Sequence, residues 1–335
     1  MSKQLFERRN VLVTGGAGFI GSHLCDRLVK EAHVICVDNF ITSSESNIDH
    51  LLQDSNFEFI NHDITQPLDL LKYSELERFK VRFQGFQEIY HLACPISKRH
   101  FDDFKIATVL TNSIGVKNVL DIAVEHNAKV LYASSSVLYG PRSNGSHVKE
   151  TDECHLDHLS SRGAYDEGKR FSEAILQTYA NVYSLDVKIA RIFRTYGPRM
   201  KIFDGNLIPD MILSALEDKD IVLTGNEDSR ISMAFVNDIV DGLVRLMSTP
   251  IDVTLVNLGS DNDVRLVAIA QQVLEILGSG SRIRFEPPCP YQTEAPLPDI
   301  TRARDILGWL PLVRLEDGLK KMIDYAKSHR QQVTF

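Results

Sequence analysis

Residues 10–24 read NVLVTGGAGFIGSHL. A short apolar run enters a glycine-rich turn, and from Phe19 onward the apolar side chains fall at helical spacing, so the stretch reads strand, turn, helix. Glycines stand at positions 15, 18 and 21. In a turn that receives a diphosphate each has its own task. Gly15 permits the tight bend, Gly18 lets a phosphate approach the backbone, and Gly21 lets the helix pack closely on the sheet. The helix N-terminus adds free N–H groups and a partial positive charge. Asp38 closes the next apolar run, VICVD (34–38). A carboxylate there accepts hydrogen bonds from both hydroxyls of an adenosine ribose and repels a 2′-phosphate, which favours NAD over NADP. Asp63, at the end of FEFINHD (57–63), is a candidate for an adenine contact.

The alternation continues outward from this loop. EIYHLA (88–93), KVLYAS (129–134) and DVKIARIF (186–193) read as further strands, and 19–31, 108–126 and 163–184 as helices between them. Strands alternating with helices of this length imply an α/β fold: a Rossmann-type doubly wound parallel sheet covered on both faces. After about residue 195 the rhythm changes to loops rich in Gly, Asp and Pro around helices at 264–278 and 315–329. This predicts a cofactor domain over 1–195, with a returning segment near 232–260, and a smaller C-terminal α/β substrate-binding domain over 196–335.

Composition narrows the classes. The chain has 335 residues, 43% of them hydrophobic, and a net charge of −8. It carries no basic stripe, so nucleic acid is not an expected partner. The five cysteines, Cys25, Cys36, Cys94, Cys154 and Cys289, are scattered and form no C-x-x-C pair. That indicates neither a zinc site nor a disulfide framework, and no metal is expected. MSKQLFERRN at the start lacks the apolar run of a signal peptide, and no stretch is long and apolar enough for a membrane span. The expected location is the cytoplasm.

The chemistry is carried by two segments. LYASSSVLYG (131–140) takes a strand into three serines, and AYDEGKR (164–170) sets Tyr165 and Lys169 four apart on a helix, hence on one face. A phenol is a poor base at neutral pH, and a neighbouring ammonium with a nicotinamide cation favours its ionised form. A serine hydroxyl then orients the substrate alcohol.

GGAGFIGSHL, VDNF, HLA, SSSVLYG, YDEGKR, ARIFRTYGPRM and DILGW resemble the extended short-chain dehydrogenase/reductases that act on nucleotide sugars. The likeness covers about 10–325. Within that superfamily, YDEGKR, RIF-x-T-Y-GPRM, Asp204-Gly205 and GSGS-x-I-x-F (278–285) make it most similar to the UDP-glucuronic acid decarboxylases. The resemblance implies NAD, a homodimer built on helices 108–126 and 163–184, and oxidation of a sugar C4 hydroxyl by Tyr165 and Lys169 with Ser135 orienting it. Apolar Val116, Val119 and Ile122 are the positions expected to extend beyond the core stripe to that interface. The resemblance also implies that Gly15, Gly18, Phe19, Ile20, Gly21, Asp38, Asn39, Phe40, Asp63, Ile64, Leu92, Ala93, Asn112, Tyr165 and Lys169 line the cofactor. Ser136, Arg194, Asn206 and Arg230 are implied for a nucleotide-sugar substrate, UDP-linked.

Four positions depart from the decarboxylase pattern. Val137 stands where that pattern has a proton-shuttling Glu, and Arg194 where it has Asn. Ser229-Arg230-Ile231 replaces Gln-Thr-Arg, and Pro296 replaces an arginine that holds the diphosphate. The expected activity is C4 oxidation of a nucleotide sugar, most like UDP-glucuronate decarboxylation. Alternatives are a 4-epimerase, a C4 dehydrogenase, a 4,6-dehydratase, or an NAD-binding pseudoenzyme.

Overall fold

The computed structural model describes residues 8–141, 147–287 and 296–329; Cys289 lies outside them. Seven strands form the central sheet: β1 (Arg9–Thr14), β2 (Ala32–Asp38), β3 (Phe57–Asn61), β4 (Glu88–His91), β5 (Lys129–Ser135), β6 (Val187–Ile192) and β7 (Leu255–Leu258). All neighbours pair in parallel, in the order β3-β2-β1-β4-β5-β6-β7. Because both faces are covered, the strands are apolar almost throughout. Val11, Val13, Val34, Cys36, Leu131 and Val256 bury against one core, and Leu12, Ile35, Ile89, Val130 and Ile189 against the other.

The first core contains α1 (Phe19–Leu28) and much of the C-terminal half. The second contains α3 (Val116–His126) and α4 (Gly163–Tyr183), and α2 (Lys105–Leu110), which a π-helical turn at Thr111–Gly115 joins to α3, packs on α4. The turn has a local cause. The Asn112 side-chain amide donates to the Thr108 carbonyl at 2.8 Å, the acceptor that a regular α-helix reserves for the Asn112 backbone N–H. Val116, Val119 and Ile122 are buried in the second core, which corrects their expected place at a subunit interface. The exposed apolar side chains of this region are instead Ile106, Val109, Leu110 and Ile114, with Phe171, Val182 and Tyr183 on α4.

Apart from the single turn Val81–Gln84, the described helices that sequence spacing did not single out are α5 (Leu207–Leu216), α6 (Val236–Met247) and α8 (Thr301–Leu307). The expected ones are α7 (Leu266–Leu277) and α9 (Leu315–His329). Helix α6 packs on β5, β6 and α1, burying Val236, Ile239, Val240, Leu243 and Met247. Short strand pairs complete the second half, among them Ile221–Thr224 with Ile283–Glu286, and Arg230–Ser232 with Asp263–Arg265.

After β3 the chain crosses back to β4, on the other side of β1. This reversal opens a crevice at the carboxyl ends of the strands. Thr14 and His91 face each other there in register, and their side chains bond across it, Thr14 Oγ1 to His91 Nδ1, at 2.6 Å.

Candidate active site

The glycine loop runs from β1 into α1. Gly15 has φ +73°, and its amide donates to the Val37 carbonyl at 2.8 Å. A Cβ at Gly15 would lie 2.5 Å from the Ala93 nitrogen and 2.8 Å from the Leu92 carbonyl carbon, so residues 92 and 93 of the β4 loop press directly on the turn. A Cβ at Gly21 would lie 2.1 Å from the Gly15 oxygen, and only glycine lets α1 start this close to the turn. Gly18 is the N-cap of α1, with no side chain capping the helix. Phe19 and Ile20 are partly buried and pack on the first core.

At the end of β2, Asp38 is aimed by three donors. Oδ2 accepts from the Ala17 amide at 3.1 Å, and Oδ1 from the Phe40 amide at 2.9 Å and the Ser43 hydroxyl at 2.7 Å. Phe40 adopts φ 58° and stacks near Phe59 at 4.9 Å, while the Asn39 side chain accepts from the Ile41 amide. Ile64 is buried beside Gly115 of the π turn. Asp63 is exposed, and its carboxylate accepts from both the amide and the hydroxyl of Thr65 at 2.9 Å. Asn112 is fully engaged by protein. Its amide reaches Thr108 and Cys94, and its oxygen accepts from Tyr132 at 2.8 Å and from Ser172. It ties the π turn to β5 and α4, and Gly168 of α4 leaves it room. A carboxylate fixed at the end of β2, a helix N-terminus without a cap and a turn that tolerates no Cβ suit a dinucleotide.

Ser135 ends β5, and Tyr165 and Lys169 face it from α4. The Lys169 ammonium donates to the Ala133 carbonyl at 2.8 Å, lies 4.5 Å from the centre of the Tyr132 ring, and is 5.9 Å from that of Tyr165. Burial raises the pKa of Tyr165, while the Lys169 charge and the Ser135 hydroxyl pull it down. Lys169 and Ser135 thus both act on the Tyr165 phenol. His91 is pushed to about 3, by burial and then by Lys169, so it stays neutral at the bottom of the crevice. The serines divide their work. Ser134 donates to Glu173 at 2.5 Å, and Glu173 holds Arg191 through two contacts, at 3.0 and 2.8 Å. Ser135 serves the phenol, and buried Ser136 begins the 3-10 turn Ser136–Tyr139.

The substrate candidates separate. Arg194, at the end of β6, is partly buried, and its pKa is lowered by burial and by Arg162. Asn206 donates to the Lys201 carbonyl at 3.1 Å. Exposed Arg230 bonds the Asp263 carboxylate at 2.8 Å and the Asp263 carbonyl at 2.7 Å. Sequence reasoning missed Arg162, whose guanidinium carbon the fold sets 5.7 Å from the Tyr165 ring centre. Its place three residues before Tyr165 was the available signal. Among the described residues no group of His, Cys, Asp and Glu side chains could hold a metal, and no helix is long and apolar enough to cross a membrane.

Residues 11–259 match the family described as NAD dependent epimerase/dehydratase. The chain belongs to the NAD dependent epimerase/dehydratase family. It is 38% identical over 320 residues to UDP-glucuronic acid decarboxylase 1 of Xenopus tropicalis, covering 95% of this chain and 72% of that one. It is also 38% identical to UDP-glucuronic acid decarboxylase 4 of Arabidopsis thaliana, covering 96% and 69%. Among solved structures, UDP-glucuronic acid 4-epimerase from Bacillus cereus, in complex with UDP-glucuronic acid and NAD, superposes with a TM-score of 0.82 at 27% identity, covering 95% and 99%. As a member of this family the chain is an NAD-dependent enzyme with the extended short-chain dehydrogenase/reductase fold.

Against the decarboxylase pattern, Val137 is half-buried at the start of the turn that follows Ser135. No carboxylate replaces the missing Glu at that position. Pro296 is buried just before the strand Leu297–Pro298, which pairs with His147–Val148. The arginine of the pattern therefore has no substitute at its own place in the chain.

Proposed function

We propose that this epimerase/dehydratase family member oxidises a UDP-linked hexuronic acid at C4, most like a UDP-glucuronate decarboxylase. The observation that carries the reading is Ser135, Tyr165 and Lys169 meeting at the carboxyl end of β5, next to a dinucleotide loop that admits no Cβ. Bound NAD supplies the hydride acceptor. Tyr165 takes the proton from the C4 hydroxyl as the hydride leaves C4, and Lys169 holds the phenol in its ionised form. Ser135 orients the hydroxyl. The product ketone is β to the carboxylate on C5, so carbon dioxide can leave with the electron pair delocalised onto the C4 oxygen. Asp38 selects NAD through the ribose hydroxyls.

In this reading residues 1–195 and the returning segment carry the cofactor, and 196–335 the nucleotide sugar. Arg230 suits the diphosphate. Its exposed pair with Asp263 contributes at most about 1 kcal/mol, less than the about 1.5–3 kcal/mol of a charge-assisted phosphate contact that would replace it. The protein works in the cytoplasm as a homodimer. A subunit interface is supported by exposed Ile106, Val109, Leu110 and Ile114 beside Phe171 on the adjacent helix. The deciding experiment is a single turnover with UDP-glucuronate, watching the NADH band. NADH should form in the native protein and not in Tyr165→Phe. Absence of NADH with UDP-glucuronate and with neutral UDP-sugars alike would overturn the reading.

A further inference from the structure

Lys169 is buried, and among the described residues its ammonium pairs with no carboxylate. The acids of this stretch of α4 are each held by an arginine. Arg162 bonds Asp166 at 3.1 Å, Arg170 bonds Glu167 at 2.6 Å, and Arg191 bonds Glu173 at 2.8 and 3.0 Å. What meets the ammonium instead is the Ala133 carbonyl at 2.8 Å and the ring of Tyr132, its centre 4.5 Å away. Taking a charge out of water without a counter-ion is unfavourable, and the negative face of an aromatic ring offsets part of that.

Tyr132 is fully buried on β5, and its far end is fixed, because its hydroxyl donates to Asn112 Oδ1 at 2.8 Å. Donation from the hydroxyl shifts electron density into the ring and strengthens its negative face. Burial raises the Tyr132 pKa well above its ordinary value, so the residue stays a neutral phenol. The His91 ring lies 5.4 Å away on β4. His91 is pushed to about 3 by burial and then by Lys169, so it brings no second positive charge to the ring. The remaining groups around Tyr165 are Cys94 in the loop after β4, Ser135 at the end of β5, and Arg162 before α4, its guanidinium carbon 5.7 Å from the Tyr165 ring centre.

We propose that Tyr132 is a positioning residue: its ring seats the Lys169 ammonium in place of a counter-ion and so leaves the ammonium's charge uncancelled for the Tyr165 phenol. This deepens the C4-oxidation reading, in which that phenol is the base. A carboxylate beside Lys169 would hold the ammonium as well, but its charge would oppose the ammonium's at Tyr165 and disfavour the phenolate. The ring carries no net charge, and its attraction for a cation is short-ranged. The field of the ammonium therefore survives at Tyr165, whose ring centre is 5.9 Å from it.

The test uses the NAD-loaded protein as Tyr132→Phe, as Tyr132→Leu and with trifluorophenylalanine at position 132. The fluorinated ring keeps nearly the shape of Phe and loses most of its negative face. Ionisation of Tyr165 is read without substrate, as the phenolate absorbance that a matching Tyr165→Phe substitution removes. Phenolate gains population as pH rises, and a weaker hold on the cation raises the phenol's pKa, so the midpoint moves up. Relative to Tyr132→Phe, the fluorinated and Leu proteins should each hold about tenfold less phenolate near neutral pH, a midpoint about one pH unit higher. Single-turnover NADH formation from UDP-glucuronate should slow about tenfold near neutrality and recover at high pH. A midpoint that is the same with the fluorinated ring as with Phe would make Tyr132 a packing residue and overturn the proposal, as would a uniform loss of rate with no change of midpoint. If no UDP-sugar yields NADH, the C4-oxidation reading fails, and the phenolate titration still decides the role of Tyr132. Where Tyr132→Leu does not fold, the comparison of the two rings decides by itself.

Discussion

Replacing Lys169 by Met should cost the oxidation step about two orders of magnitude, and the structure says why. The ammonium is held by the Ala133 carbonyl at 2.8 Å, so its charge has a fixed place 5.9 Å from the Tyr165 ring centre. At an effective dielectric of about 20, that charge favours the phenolate by about 3 kcal/mol, or about a hundredfold in its population. Burial already works against the phenolate, so nothing else on α4 compensates. Phenolate is the active base and gains population as pH rises. Removing the cation raises the phenol's pKa, and the rate profile must move to higher pH. Single-turnover NADH formation should therefore be slowed about a hundredfold near neutrality and approach the native rate at high pH. The orphaned Ala133 carbonyl costs about 1–3 kcal/mol of stability, so thermal unfolding and NAD binding are measured on the same preparations. A profile lowered uniformly with its midpoint unmoved would refute the electrostatic argument and leave Lys169 a purely positional residue.

Asp38→Ala removes the acceptor of the ribose hydroxyls and frees the Ala17 and Phe40 amides; the dissociation constant of NAD should rise about a hundredfold and that of NADP far less, and competitive titration of the two would expose the opposite order. Ile106, 78% exposed on α2, should tolerate Glu in the monomer but not at an apolar interface, so Ile106→Glu should halve the mass seen in light scattering at micromolar concentration. A native protein that is already monomeric would end the dimer reading. Val137→Glu should increase carbon dioxide release from UDP-glucuronate by restoring a proton shuttle next to Ser135; no change would mean that solvent already carries that proton.

Much of the cofactor half was legible because its signals are local. The spacing of Gly15, Gly18 and Gly21, the acid at the end of VICVD, and the four-residue step from Tyr165 to Lys169 express backbone geometry over a few residues. The first six strands follow from apolar runs for the same reason. Other features depend on contacts between distant parts of the chain. LVNL at 255–258 becomes the seventh strand only because β6 offers it an edge, and four apolar residues carry too little periodicity to announce that. Val116, Val119 and Ile122 look the same in sequence whether they meet another subunit or their own sheet; packing under β4 and β5 buried them. The links of Asn112 to Tyr132 and Ser172 join segments 20 and 60 residues apart and could not be read from its place in the sequence. Tyr132 reads as one more position of the strand KVLYAS. Only the packing of α4 on β5 sets its ring centre 4.5 Å from the Lys169 ammonium, because electrostatic coupling depends on distance in space and not on separation along the chain.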